Sequence, residues 1–408
     1  MSASYPIQEI RTLFPALCRI HNGNPAVYLD GPGGSQVVAT AITAMTNYMR
    51  RGVANTHGKF PSSEETESLI ASAREALADL FACTSDEIAF GANATSNMFA
   101  VSRALSRSWT PDDEIVVSEM DHHAHIDTWR LAAQDRGATV RTLKVNPETL
   151  TLELSELDAV INDKTRLVAV GYASNAVGTI NDIERISGRC RAVGALLSVD
   201  AVHIAPHKPI DMNGIGADFL FCSAYKFFGG HIGVTAIRKP VFEALETYRL
   251  HPAPSTAPGK LETGTQSHEA IASIVPAVEF IAELGSGGAR RERLVSGFER
   301  IERHEKALAE LVRQGLAGIP GVRLYQSEGP KTATVAFTIE TRRPGDVCRE
   351  LCDRYGVFAA DGDFYAETLA RRVGVDRNGG WIRVGFAPYN TEEEATLLLR
   401  GVRELCAR

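Results

Sequence analysis

Between about residues 65 and 240, short apolar runs alternate with longer amphipathic segments. The segments Glu64–Phe81 and Ile183–Val193 have the spacing of helices that bury one face. Strands that are apolar throughout and alternate with such helices indicate an α/β fold, with a mostly parallel sheet covered on both sides. Seven runs are predicted to be its strands: Glu87–Phe90, Glu114–Ser118, Thr139–Leu143, Leu167–Val170, Leu196–Asp200, Phe219–Ser223 and Gly233–Ile237.

The segment His251–Pro258 interrupts this alternation, because three prolines in eight residues exclude regular structure there. Beyond it, the pattern predicts the helices Ala270–Leu284, Arg290–Ala317, Gly345–Tyr355 and Thr391–Cys406, and the strands Val322–Tyr325, Thr332–Ile339 and Trp381–Phe386. This mixture is typical of a smaller α+β domain. We therefore expect a large domain over residues 26–265 and a small α+β domain formed by residues 1–25 and 266–408.

Composition narrows the classes of function. The net charge of −7 is spread over interleaved acidic and basic residues, which argues against a nucleic-acid surface or a polybasic membrane patch. The N-terminal sequence lacks the pattern of a secretory signal, and no apolar stretch reaches membrane-spanning length. The seven cysteines have no framework spacing and are expected to be reduced thiols of a cytoplasmic protein.

Two neighbouring runs end in ionisable residues. The strand Leu196–Asp200 ends in an acid, and the strand Phe219–Ser223 leads directly to Lys226. Buried acids and lysines are costly without partners. Pyridoxal 5′-phosphate (PLP) explains both, since a lysine forms a Schiff base with it and an aspartate keeps its pyridine nitrogen protonated. On these two residues alone, a structural ion pair stays an equal alternative.

Segments that follow other strands add polar groups. The small residues of 91–97 precede a helix, where backbone N–H groups and the hydroxyls of Thr95 and Ser96 can hold a phosphate, although any capped helix looks similar. A histidine of the run 122–125 is expected to lie on a cofactor ring. A metal site is the weaker alternative, because no cluster of acids or cysteines joins these histidines, and a half-buried loop histidine is the other.

Two further residues suit recognition of a cofactor and a substrate. The amide of Asn175 could bond the phenolic oxygen of the cofactor, or it could be an ordinary turn residue. Arg383 lies in an apolar strand, and its guanidinium suits bidentate binding of a carboxylate. The alternative is that Arg383 forms a structural ion pair.

The order of these motifs resembles the class V aminotransferase group of fold-type I PLP enzymes, and most closely its cysteine desulfurase and selenocysteine lyase branch. The matching runs extend over nearly the whole chain: YLDGPGGS (28–35), GANATSN (91–97), EMDHHAHIDTW (119–129), SNAVGTIND (174–182), LLSVDAVH (196–203), CSAYKFFGGHIG (222–233), LETGTQSH (261–268) and RVGFAPYNT (383–391).

The resemblance implies a site for PLP and an amino-acid substrate. Lys226 would form the Schiff base, Asp200 would face the pyridine nitrogen, His123 would stack on the ring and Arg383 would bind the substrate carboxylate. Thr265 would reach the phosphate of the neighbouring subunit, which implies a homodimer with a shared active site. The residues expected around PLP are Lys226, Asp200, His203, His123, Asn175, Thr95, Ala94, Ser223, Tyr225 and Thr265.

Three departures separate this chain from the desulfurases that it resembles. Desulfurases carry a nucleophilic cysteine on the loop that corresponds to residues 359–366, which contain none here. Cys348 and Cys352 are one helical turn apart and are expected to face a core. Tyr225 and His203 stand where desulfurases have histidine and glutamine, and both look more like kynureninase, another member of the group.

We therefore expect a PLP-dependent lyase that cleaves a C–S or other β-substituent from an amino acid by α,β-elimination, without persulfide formation. Lys226 would take the α-proton, and His123 or Tyr225 would assist the leaving group. Transamination, kynureninase-type C–C hydrolysis and epimerisation stay open on the same scaffold. A non-catalytic sulfur-relay or scaffold partner is a third class, against which the intact lysine, aspartate and arginine argue.

Overall fold

The protein is described by a computed structural model that covers residues 5–407. Its strands are β1 Ile20–His21, β2 Asn24–Pro25, β3 Val27–Tyr28, β4 Ile88–Gly91, β5 Glu114–Ser118, β6 Thr139–Leu143, β7 Val145–Asn146, β8 Thr151–Leu152, β9 Thr165–Gly171, β10 Leu196–Asp200, β11 Phe219–Ser223, β12 Gly233–Ile237, β13 Val322–Tyr325, β14 Thr334–Ile339, β15 Val357–Phe358, β16 Ala360–Gly362 and β17 Trp381–Gly385. Its helices are α1 Ile7–Thr12, α2 Ala39–Arg51, α3 Pro61–Phe81, α4 Ala94–Leu105, α5 His123–Gln134, α6 Leu157–Val160, α7 Ile183–Val193, α8 Lys239–Ala244, α9 His268–Ile271, α10 Ile274–Glu283, α11 Arg290–Ala317, α12 Pro344–Tyr355, α13 Glu367–Val373 and α14 Glu392–Cys406.

The central sheet has the strand order β4-β12-β11-β10-β9-β5-β6. β12 runs antiparallel to both neighbours, and the other pairs are parallel. The mostly parallel seven-stranded sheet expected from the sequence is therefore confirmed. Consecutive residues of β5 enter opposite hydrophobic clusters, since Val116 packs on one face and Val117 on the other. Burial on both faces explains why the inner strands are mostly apolar, whereas the edge strand β6 has exposed polar residues.

Six strands of this sheet end at the same edge. β5, β6, β9, β10 and β11 are parallel, and β4 points the same way because β4 and β11 are each antiparallel to the β12 strand between them. The register places Asp200 opposite Gly171 on one side and opposite Phe221 on the other. This edge is where a doubly covered parallel sheet usually holds its ligand.

A second sheet, with the order β13-β14-β17-β16, is antiparallel and has its own hydrophobic core with α11, α12 and α14. An isolated bridge between Asp30 and Gly385 brings its strand β17 to the turn that follows β3. Helices α9 and α10 share the core of the central sheet instead. The division of the chain at residue 265 stays a prediction.

The predicted helix Ala270–Leu284 is instead two helices, α9 and α10, which meet at Ser273. Ser273 Oγ donates to the carbonyl oxygen of Ala270 and accepts the N–H of Gly230, so the break is fixed to the loop after Lys226. Pro276 lies in the first turn of α10, where its missing N–H leaves no helical bond unmade. Over the described range, no helix has the length and apolar character that a membrane span requires.

Candidate active site

A cavity of about 120 Å³ lies at the carboxyl edge of the central sheet. It brings together eight of the ten residues expected around the cofactor: Lys226, Asp200, His203, Asn175, Thr95, Ala94, Ser223 and Tyr225. His123 and Thr265 do not line it. The eight come from distant parts of the chain, and the shared strand direction explains why they meet.

Lys226 is 7% exposed and lies in the 3₁₀ turn that follows β11. Its Nζ donates to the carbonyl oxygens of Pro32 at 2.5 Å and Gly33 at 3.0 Å, rather than to Asp200. Burial, with the nearby charge of Arg383, lowers the pKa of Lys226 to about 8. The amine therefore has a substantial neutral fraction near neutral pH.

Asp200 ends β10 and accepts the N–H of Val202 at 2.9 Å. Burial raises the pKa of Asp200, while His125 and that backbone bond oppose the rise. A half-buried carboxyl without a charge-paired hydrogen bond is an environment that a protonated ring nitrogen would complete. The structural ion pair with Lys226, which the sequence left open, is not the arrangement found.

The turn between β4 and α4 forms one wall of the cavity. Asn93 caps α4 by accepting the N–H of Ser96 at 2.8 Å, and the N–H of Ala94 donates to Ser223 Oγ at 3.2 Å. A Cβ on Gly233 would lie 2.4 Å from the backbone of Asn93, so only glycine lets β12 approach this turn. The result is a helix N-terminus with hydroxyls beside it, which suits a phosphate.

His122 lines the cavity, although the sequence pointed to His123. His122 caps α5 by accepting the N–H of Ala124 on its Nδ1 at 3.0 Å. Burial, together with the charge of Lys226, lowers its pKa to about 4, so the ring is neutral at neutral pH. The sequence does not show which of two adjacent histidines reaches the cavity. In the structure, His122 is the N-cap that precedes α5 and therefore remains at the edge of the sheet.

His123 begins α5 and is not one of the residues that line the cavity. Its Nδ1 lies 3.0 Å from Asp127 Oδ2, and its Nε2 lies 3.0 Å from Thr368 Oγ1. The third histidine of the run, His125, is buried and lies 2.8 Å from Ser198 Oγ. Of the three histidines in this run, His122 is the one that lines the cavity.

Arg383 lies in β17 and is 3% exposed. Its Nη1 donates to the carbonyl oxygen of Asn175 and its Nη2 donates to Asp30 Oδ1, both at 2.9 Å. The ring of Phe364 covers its face, with the centroid 3.7 Å from Cζ. Within residues 5–407, the buried Nε of Arg383 and Oδ1 of Asn175 have no hydrogen-bond partner. The sequence offered no reason to pair Arg383 with Asp30, although Asp30 lies in the matching run 28–35, or with Phe364.

The loop 359–366, which contains no thiol, folds back over the site. Phe364 and Tyr365 both have positive φ angles, 56° and 59°, which are uncommon for aromatic residues. Asn175 Nδ2 donates to the carbonyl oxygen of Phe364 at 2.8 Å, and the N–H of His123 donates to that of Tyr365 at 2.7 Å. The Tyr365 ring stacks on His122, with centroids 5.1 Å apart.

The cysteines of α12 lie outside the cavity lining. Cys348 is buried, and burial raises its pKa to about 12. Burial also raises the pKa of Cys352, whose Sγ lies 3.4 Å from His21 Nε2. Neither thiol is activated by its surroundings, since a reactive cysteine has a lowered pKa.

The two kynureninase-like residues line the cavity. Tyr225 stacks on His231 at a centroid distance of 4.6 Å, and burial raises its pKa. His203 Nε2 lies 3.1 Å from Thr332 Oγ1 and 3.0 Å from Thr334 Oγ1, and burial holds its pKa well below the usual range. Both rings are therefore uncharged at neutral pH.

Comparison with known proteins shows which family this chain belongs to. Residues 27–398 match the model of the family described as aminotransferase class-V. The chain belongs to the class V aminotransferase family. It is accordingly a PLP-dependent enzyme that acts on an amino acid.

Relatives in this family are similar over their full length. A protein named "Probable cysteine desulfurase" from Streptomyces coelicolor is 31% identical, with 98% of this chain and 96% of that protein covered. A cysteine desulfurase from Pectobacterium atrosepticum is 28% identical, with 98% of each covered. The crystal structure of the Escherichia coli cysteine desulfurase CsdA superposes with a TM-score of 0.86 at 25% identity, covering 98% of each chain.

The cavity of this class V enzyme fits PLP. Its donor set combines a buried acid, a buried lysine and a helix N-terminus with adjacent hydroxyls on one sheet edge. The unpartnered Oδ1 of Asn175 also lies in a residue that lines the cavity.

Proposed function

We propose that this class V enzyme is a lyase that removes a β-substituent, bound through sulfur or another leaving atom, from an amino acid by α,β-elimination. No enzyme-bound persulfide forms in this reaction. The observation that carries the proposal is the loop 359–366, which offers aromatic rings over Arg383 and His122 and no thiol.

PLP, when bound, withdraws electrons from the substrate Cα and so permits loss of its proton and then of the β-substituent. Asp200 would pair with the ring nitrogen, and His122 would lie against the ring. Ser223, Thr95 and the N–H groups at the start of α4 would hold the phosphate. This assignment gives His122 the role that the sequence suggested for His123.

The remaining groups would bind the substrate and move protons. Arg383 would hold the α-carboxylate, since its fork is buried beside the cavity. Lys226 would remove the Cα proton, and its pKa of about 8 suits a base that works near neutral pH. Tyr225, whose raised pKa keeps it protonated, would donate to the leaving group.

Persulfide chemistry needs a mobile thiolate at the substrate sulfur. The raised pKa values of Cys348 and Cys352 keep both as thiols, and α12 holds them in regular structure. The substrate sulfur, where there is one, would leave as a free thiol, sulfide or oxidised fragment.

A product screen of the PLP-loaded enzyme tests this proposal. Amino acids with different β-substituents are supplied, and ammonia, keto acid, sulfide and alanine are measured separately. Elimination gives ammonia and a keto acid in equal amounts together with the released substituent. A keto acid without ammonia would indicate transamination. Alanine would indicate cleavage of the desulfurase or kynureninase kind, and recovery of the substrate with inverted configuration at Cα would indicate epimerisation.

A further inference from the structure

The carboxylate site at Arg383 is filled by the chain's own groups. Asp30 Oδ1 accepts from Nη2, the Asn175 carbonyl oxygen accepts from Nη1, and the Phe364 ring lies on the guanidinium face. The buried Nε has no partner among the described residues. A substrate carboxylate that approaches Nη2 therefore meets the Asp30 carboxylate on the same nitrogen.

The charges of these groups give a second reason for Asp30 to leave when a substrate carboxylate binds. The pair of Asp30 and Arg383 is already neutral, with a distance of 2.9 Å between Nη2 and Oδ1. A second carboxylate beside this pair would place two negative charges on one buried guanidinium, and a like charge nearby disfavours the ionised form of each. The substrate and Asp30 thus compete for one cation.

The two partners differ in their freedom to move. The Arg383 side chain is 4% exposed, whereas that of Asp30 is 44% exposed. Asp30 can turn toward solvent and keep its charge hydrated, while Arg383 is fixed in β17. Asp30 packs against Gly33, where an added Cβ would lie 2.2 Å from Asp30 Oδ2, so the carboxylate rests on its own turn.

That turn also touches the catalytic lysine. Residues 30–34 supply the carbonyl oxygens of Pro32 and Gly33 to Lys226 Nζ. The negative charge of Asp30 raises the pKa of Lys226, and the positive charge of Arg383 lowers it. A change in the pairing of Asp30 and Arg383 consequently reaches Lys226 through both charge and backbone.

We propose that Asp30 is a positioning residue, an internal stand-in for the substrate carboxylate, which holds Arg383 until an α-carboxylate exchanges with it. The exchange selects ligands that carry a carboxylate and adjusts the environment of Lys226 at the moment of binding. This inference rests on the proposed role of Arg383 in binding the substrate carboxylate.

Binding of propionate to the PLP-loaded enzyme tests the exchange without any turnover. Asp30→Asn keeps the shape and the hydrogen-bond acceptor of the side chain but removes its charge. We expect the dissociation constant of propionate, followed by the absorbance of the cofactor or by calorimetry, to fall on the order of tenfold. Asp361→Asn, which changes an exposed carboxylate on the neighbouring strand β16, is the matched control and is expected to leave it unchanged.

A pH titration of the cofactor's visible absorbance gives a second readout. Loss of the Asp30 charge should move its midpoint to lower pH, because less negative charge then stabilises the protonated form at Lys226. Saturating propionate should restore the midpoint in Asp30→Asn, since it replaces the missing carboxylate. A merely structural role for Asp30 would show no such rescue.

Other outcomes separate this inference from the proposed function. Weaker propionate binding in Asp30→Asn would mean that Asp30 orients Arg383 permanently. Unchanged binding would mean that Asp30 and the ligand do not compete. Either result would overturn the proposed exchange but would leave the role of Arg383 in carboxylate binding intact. Unchanged propionate binding in Arg383→Lys would place the carboxylate site elsewhere and overturn the role of Arg383 as well.

Discussion

Lys226 and Asp200 lie at the ends of adjacent strands, and burial moves their pKa values in opposite directions. Desolvation disfavours a charge of either sign, so it lowers the pKa of the lysine and raises that of the aspartate. Each residue therefore gains from a partner in the cavity, and PLP offers an aldehyde to one and a ring nitrogen to the other.

The pKa of Lys226 predicts how fast the apoenzyme takes up PLP. Only the neutral amine attacks an aldehyde, and a pKa of about 8 makes that form roughly 300-fold more abundant at pH 7 than in a free lysine. We expect the rate of PLP incorporation, followed by absorbance, to rise with pH and level off above about pH 8. A rate that still climbs steeply at pH 10 would show that Lys226 has an ordinary pKa.

The adjacent histidines form a matched pair for mutagenesis. His122→Ala removes the ring that lines the cavity, so we expect a shifted cofactor spectrum and a loss of turnover of about 10²-fold or more. His123→Ala removes the polar contacts of the ring with Asp127 and Thr368, and should retain the spectrum and most of the activity. The reverse pattern would return the ring-stacking role to His123.

Residues of the candidate site could be predicted from the sequence where they lie at the end of a strand. Asp200, Lys226 and Ser223 each follow an apolar run, so their meeting at one edge could be expected from the sequence. Asp30 could not, because its contact with Arg383 joins residues 353 positions apart through a bridge between β17 and a turn.

At the scale of elements, five of the seven central strands have the predicted bounds, β4 is shifted by one residue, and β9 begins two residues earlier and ends one residue later than predicted. For the inner strands, burial on both faces leaves little ambiguity in the pattern. The strand order and the reversed direction of β12 depend on tertiary pairing and could not be predicted. The break at Ser273 likewise depends on a contact with Gly230.

The loop 359–366 contains no cysteine, and aromatic residues of this loop cover the site. The sequence indicated that no thiol was present, and the structure adds that Phe364 and Tyr365 occupy the space above Arg383 and His122. Two aromatic residues at positive φ are held by Asn175, His123 and Asp363. Strained backbone kept in place by several bonds is common in ligand clamps.

For the whole molecule, a homodimer with shared active sites stays a prediction. Thr265 is exposed and lines a second cavity that Ser96, in the first turn of α4, also lines.

We predict a two-fold dimer in sedimentation experiments, with activity and PLP lost together on dilution. Thr265→Ala should weaken PLP binding while the dimer persists, because the hydroxyl would serve the phosphate of the other subunit. Thr256→Ala, which changes an exposed threonine that does not line this cavity, is the control. A fully active monomer would contradict this assembly.

The central claim is a class V enzyme that breaks a bond at Cβ without forming a persulfide, and incubation of the PLP-loaded enzyme with cysteine tests it most directly. Intact-mass and peptide mass spectrometry report sulfur on the enzyme, and amino-acid analysis of the same sample reports alanine. We predict neither persulfide nor alanine, with the same result for the variant that combines Cys348→Ala and Cys352→Ala. Persulfide on Cys348 or Cys352, with alanine as its co-product and both lost in the double variant, would contradict the account and make the enzyme a desulfurase.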